Sequence, residues 1–272
     1  MKILIVGAGV IGQIYAGRLH EAGHEVTVLA RHQTLETLAR DGIALVDGAL
    51  ANGPKSGAPA GHDAEQLAEP GQRRRHRRPR PDAFRLPGVG GYRRDDGAIS
   101  YIETPQQPTT LGRQQGQEDI AGEVFRSAGF AVDTTADMDG WLKTHAVFIA
   151  AMCASINACG GDAVKLAADR ERVATMIRAA GEGFRALTSQ GVAVQPRPLK
   201  MIFTMVPRVF AVRYWQRQLR GTVGTVALAP HSRMTKDTEL PVLYRDVQKM
   251  VAGMVPTPHL DTLLSLAQRN PQ

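Results

Sequence analysis

The sequence predicts an α/β protein with a parallel, doubly wound sheet in its first half and helices alone in its second. Three observations carry that reading. Lys2–Val6 is a short, β-branched, nearly continuous apolar run, the pattern of a strand buried on both faces of a parallel sheet. Glycines 7, 9 and 12 follow at once and open a segment of helical apolar spacing. After Asp137 the apolar residues keep helical spacing to the end of the chain.

Taken in order, residues 13–22 place Ile14, Tyr15, Leu19 and Ala22 on one helical face, with Gly23 as the stop signal. Residues 25–30 (EVTVLA) form the second strand and complete a strand–turn–helix–strand unit. A helix over 35–41 and a short strand over 43–46 follow. From 52 to 86 the pattern fails. This stretch is dense in Gly, Pro, His and Arg, and the fourth strand and following helix that a doubly wound sheet requires cannot be drawn in it. It is expected to be exposed and poorly ordered. Regular signals return at 87–91, then as strands over 98–103 and 107–112, a helix over 119–128 and a strand over 130–135. Helices are expected over 139–158, 162–190, 199–219 (interrupted at Pro207), 234–251 and 259–268. The boundary falls near residue 136. It separates an α/β domain, 1–136, from an all-helical domain, 137–272.

Composition narrows the function. The 272 residues are 43% hydrophobic and 22% charged, ordinary globular values that exclude a disordered chain. Only Cys153 and Cys159 are present, which excludes a disulfide scaffold and cysteine-based zinc sites and makes a reducing cytosol the simplest home. No apolar run reaches the roughly 18 residues of a membrane span, so no membrane partner is expected, and with two cysteines and no Cys-x-x-Cys no metal partner is expected either. The net charge of +7 is concentrated: residues 73–85 hold seven arginines and one acid, leaving +1 for everything else. That block has no interleaved aromatic before Phe84 and no reader motif, so nucleic acid is not the expected partner.

The chemistry begins at Gly7-Ala8-Gly9-Val10-Ile11-Gly12. Such spacing is weak alone and becomes informative after a buried strand and before a helix. Gly7 allows the tight turn, Gly9 lets the backbone approach a pyrophosphate, and Gly12 permits close packing of helix on strand, as in a Rossmann-type dinucleotide site. Exposed N–H groups and the helix dipole then face the phosphates. The end of the second strand usually carries an acid for the ribose 2′-hydroxyl. Here it reads Ala30-Arg31-His32, and an Arg31 guanidinium suits a 2′-phosphate, which points to NADP.

MKILIVGAGVIGQIYAGRLHEAGHEVTVLAR at the start, WLKTHAVF at 141–148, TELPVL at 238–243 and TPHLDTLL at 257–264 resemble the ketopantoate reductase (2-dehydropantoate 2-reductase) family. With residues 86–137, the resemblance covers most of the chain outside 52–86. It implies a Rossmann domain joined to a helical domain, with substrate in the cleft. It also implies that Lys143 is the acid and that Glu239 orients a substrate hydroxyl. An ammonium at Lys143 would polarise a ketone and protonate the resulting alkoxide. Ser232 is a weaker candidate for substrate contact. The family's two asparagines after the lysine are Val147 and Ala151 here, which opens the substrate to other 2-keto acids and related ketones. Asn157 lies about 21 Å from Lys143 along the helix axis and cannot replace them. His145 reads as a packed or surface histidine.

The sequence therefore reads as an NADP-dependent oxidoreductase for a small keto compound, a cytoplasmic protein and a candidate homodimer. The break at 52–86 has the look of a locally altered reading frame with some loss of length. Two rivals stand beside this reading: a catalytically impaired nucleotide-binding relative, and a basic interaction protein that uses the arginine block.

Overall fold

The computed structural model describes residues 1–48, 85–104, 107–113, 119–253 and 255–269. The expectation of disorder over 52–84 lies outside the described residues. The chain divides into two compact units, Met1–Ala136 and Asp137–Gln272. Each is described by itself.

The first unit runs β1 (Lys2–Val6), α1 (Val10–Glu21), β2 (Glu25–Leu29), α2 (His32–Asp41), β3 (Leu45–Asp47), β4 (Arg85–Leu86), β5 (Val89–Arg93), β6 (Ile99–Glu103), β7 (Thr109–Gly112), α3 (Ile120–Ser127) and β8 (Val132–Thr135). Three pairings are parallel, β1 with β2, β3 with β6 and β7 with β8. Two are antiparallel, β5 with β6 and β4 with β7. The α/β class with parallel strands is the expected one. Among the described residues, however, the strands form three separate sheets, and β2 is the only strand beside β1. Leu4 and Val6 of β1 are accordingly 60% and 74% exposed, where burial on both faces was expected.

α1 closes this unit's core. Ile14 and Leu19 lie against Leu45 and Ile99, all within 1% of complete burial. Tyr15, Phe125 and Phe130 meet edge to face with centroids 4.9–6.1 Å apart, the geometry that ring quadrupoles favour. The Tyr15 hydroxyl bonds Thr109 Oγ1 at 2.8 Å and accepts the Gly88 N–H at 3.3 Å, tying the helix to the sheet.

The second unit is helical throughout: α4 (Met138–Asn157), α5 (Ala163–Ala168), α6 (Arg170–Ser189), α7 (Arg197–Thr204), α8 (Arg208–Arg220), a π-helical turn (Val223–Leu228), α9 (Ala229–Met234), α10 (Leu240–Val251) and α11 (Pro258–Arg269). Its core is centred on α4 and α6.

Four expectations need correction. The irregular stretch ends before Arg85, because β4 pairs there with β7. Val89–Arg93, unread as a strand, is one arm of a hairpin with β6. The single helix expected over 162–190 is two, because Asp169 ends α5 and caps α6 through the Arg172 N–H at 3.0 Å. The helix expected over 234–251 begins only at Leu240, after α9 has ended at Met234.

Candidate active site

In the first unit the site is built by the end of β1. Gly7 leaves the strand at φ +104°, a conformation that favours glycine, and its N–H reaches the Leu29 carbonyl at 3.2 Å. A Cβ on Gly12 would run into the Gly7 carbonyl oxygen, so only glycine lets α1 start this close to the strand. α1 begins at Val10 with Gly9 as its cap, no capping side chain and no acid in its first turn. The first-turn N–H groups of Val10, Ile11 and Gly12 therefore have no side-chain acceptor among the described residues, and the positive end of the helix adds to their pull on an anion. Gln13, 1% exposed, donates from Nε2 to the Ala8 carbonyl at 2.6 Å and clamps the turn from inside.

In the parallel register Val6 lies opposite Leu29. Arg31, two residues past Leu29, therefore sits at the same end of the strand pair as the glycine turn. It is exposed, it caps α2 in extended conformation, and it has no ion pair among the described residues. A turn of open N–H groups beside a free guanidinium fits a dinucleotide pyrophosphate with a further phosphate on its ribose.

In the second unit Lys143 stands in the second turn of α4. Its Nζ lies 2.6 Å from Asp139 Oδ2, with the two side chains 37% and 76% exposed. An ammonium near the positive end of a helix is unfavourable, and the carboxylate one turn earlier offsets that. Asp137 caps the helix through the Gly140 N–H at 2.8 Å.

Below the lysine, Val147 and Ala151 are fully buried, and Val147 lies against Gly183 of α6. His145 stacks on Trp141 with centroids 5.5 Å apart and also meets Phe148. Burial, reinforced by His231, pushes its imidazole down to about 4, so it is neutral at pH 7. His145 is thus a packed histidine.

Glu239 is exposed at the cap of α10. His231 is pushed down by burial and partly restored by the Glu239 charge. Ser232 is fully buried, with its hydroxyl 3.2 Å from the Cys153 carbonyl and 2.7 Å from Asn157 Oδ1. It ties α9 to α4 inside the core, and the substrate-contact reading of Ser232 is not carried forward.

The structure thus gathers Gly7, Ala8, Gly9, Val10, Ile11, Gly12 and Arg31 at one end of the β1–β2 pair. Lys143 and Glu239 stand on separate helices of the other unit. The sequence reading missed Gln13 and Asp139. The four-residue spacing of Asp139 and Lys143 was the available signal for one, and nothing local marked the other. Among the described residues no group of three or more His, Cys, Asp or Glu could hold a metal. No helix of the described residues is long and apolar enough to cross a membrane.

A glycine turn opening the first helix of an α/β unit with parallel strands, with a helical unit after it, defines a two-part protein of the mixed α/β class. Residues 3–60 match the family described as ketopantoate reductase PanE/ApbA. No curated protein matches the chain. Among solved structures, 2-dehydropantoate 2-reductase from Geobacter metallireducens is 14% identical, with 99% of each chain covered and a TM-score of 0.66. The enzyme from Methylococcus capsulatus is 17% identical, with 99% of this chain and 96% of that one covered and a TM-score of 0.59. D-mandelate dehydrogenase, solved with NADH and anilino(oxo)acetate, is 12% identical, with 99% and 97% covered and a TM-score of 0.67. The resemblance to ketopantoate reductases read from the sequence is therefore met in the N-terminal match and in the fold of the whole chain.

Proposed function

We propose that the protein is an NADP-dependent oxidoreductase that reduces a small 2-keto acid. The observation that carries this reading is the glycine turn with its open N–H groups beside the free Arg31, at one end of the β1–β2 pair. The turn holds the pyrophosphate and Arg31 holds the 2′-phosphate. When bound, NADPH supplies the hydride. Lys143 polarises the substrate carbonyl and gives its oxygen a proton, and Glu239 orients a neighbouring hydroxyl. The similar structures support the substrate class, since 2-dehydropantoate is a 2-keto acid and anilino(oxo)acetate, an oxamate, likewise sets a carbonyl beside a carboxylate. Turnover of 2-keto acids with NADPH tests the reading. Lys143→Ala should lower kcat by about 10²–10⁴-fold and leave NADPH affinity nearly intact. Parent-like turnover in that variant would remove Lys143 from the mechanism.

A second reading, a relative that binds nucleotide without turnover, is favoured by the exposure of Leu4 and Val6 on β1, the strand that carries the glycine turn. Nicotinamide fluorescence on titration with NADPH, together with no reduction of any 2-keto acid, would establish it.

A further inference from the structure

We propose that the α7–α8 corner of the helical unit is a contact surface for an anionic lipid bilayer. The small charge outside the 73–85 block conceals a segregation: residues 183–236 hold nine lysines and arginines and no Asp or Glu. At the centre of that stretch, α7 meets α8 across Pro207, and four large apolar side chains stand in solvent. Met201 is 49% exposed, Met205 70%, Val209 52% and Phe210 66%. Side chains exposed to that degree project from the surface rather than line a groove. Around them Arg197, Arg208, Arg213 and Arg217 are exposed, and none has an ion pair among the described residues. The positive end of α8 begins at Arg208 and adds to the field.

Projecting apolar groups within a cationic rim are the chemistry of an interfacial membrane contact, in which the apolar groups enter the headgroup–acyl boundary and the cations meet lipid phosphates. A second copy docked on the same surface would set unneutralised arginines against one another. Nucleic acid would take the cations and leave the methionines and Phe210 in water. The absence of a spanning helix among the described residues fits a surface contact. The sequence-based expectation of no membrane partner rested on spans alone.

The test is co-sedimentation of the full chain with vesicles of phosphatidylcholine alone or with about a third phosphatidylglycerol, at low and at physiological salt. The parent has Arg73, Arg74, Arg75, Arg77, Arg78 and Arg80 changed to Gln, so that the other basic block does not answer for the corner. Binding to anionic vesicles that weakens with salt is expected. Arg208→Gln with Arg213→Gln should weaken it roughly ten- to thirty-fold. Met205→Ser with Phe210→Ser should weaken it by about ten-fold or more. Both pairs are exposed, so the thermal midpoint should stay within a few degrees of the parent's. No binding to anionic vesicles at low salt overturns the proposal, as does binding that neither pair of changes affects. Sedimentation velocity showing a dimer that Phe210→Ser dissociates, without vesicle binding, would assign the surface to a second copy instead.

Discussion

On the proposed function Arg31 sets which nicotinamide cofactor the turn prefers, because it stands where an acid would otherwise accept the ribose hydroxyl. A charge-assisted contact to the 2′-phosphate contributes roughly 1.5–3 kcal/mol, or about 10–150-fold in affinity. NADPH should therefore bind more tightly than NADH, and Arg31→Ala should narrow the gap by that factor in a fluorescence titration. Equal affinities in the unaltered protein would reject the assignment. His145 governs a different response. Its folded-state value of about 4 lies below the ordinary 6.5, so on acidification the unfolded chain takes up the proton first. The contribution of neutral His145 is complete above pH 6.5 and is lost as pH falls toward 4. Between pH 7 and pH 5 this should cost on the order of 1–2 kcal/mol, allowing for the ring's partial access to water. His145→Phe keeps a ring on Trp141 and removes the titration. Urea midpoints at the two pH values should fall less in the variant than in the parent, and equal losses would contradict the account.

Glu182 on α6 shows how one side chain fixes a whole element. It is 7% exposed, and its Oε2 accepts the N–H groups of His259 and Leu260, at 2.8 and 3.1 Å, in the first turn of α11. Its Oε1 lies 2.5 Å from His259 Nδ1. Glu182→Leu would leave buried first-turn donors without an acceptor. The expected cost is about 2–4 kcal/mol and a melting temperature roughly 4–16 °C lower, whereas Glu182→Gln keeps an acceptor and should lose less. Faster amide exchange confined first to α11 would mark the cause. Nothing local announced this anchor, since Glu182 and His259 meet only once α11 lies on α6. The same division separates what was legible from what was not. The glycine turn, β1 and β2 were readable because each is dictated by neighbours in sequence. The break at Asp169 was not, because an acid within the charged run Asp169-Arg170-Glu171-Arg172 reads as part of a helix's wet face until its carboxylate is seen to cap. β5 was missed because Gly90 and Gly91 carry no alternating side chains, and its strand conformation comes from pairing with β6. Ser232 looked available because its burial is set by the packing of α9 on α4.

At the scale of the molecule the two units differ in how large and continuous a core their described residues build, although the helical unit also carries exposed apolar side chains at the α7–α8 corner. In the helical unit α4, α6 and α11 enclose one continuous core, with Met152, Ile156, Met176, Phe184 and Leu187 all within 1% of complete burial. In the first unit the described strands form three sheets, and Leu4 and Val6 stay mostly in water. Full burial of such a side chain contributes about 1.5–3 kcal/mol relative to exposure, and these two forgo most of it. Each unit has its own core, so each should unfold as its own cooperative step, with the first unit melting at the lower temperature. Ligand linkage then separates them. NADPH at a hundred times its dissociation constant adds about 2.7 kcal/mol to whichever unit binds it. Calorimetry of the full chain should show two transitions, the lower one moved upward by NADPH and the upper one left in place. If NADPH moves the upper transition, the nucleotide site is not at the glycine turn. A single transition that moves as a whole would mean that the sheet-bearing unit gains its stability from the helical one.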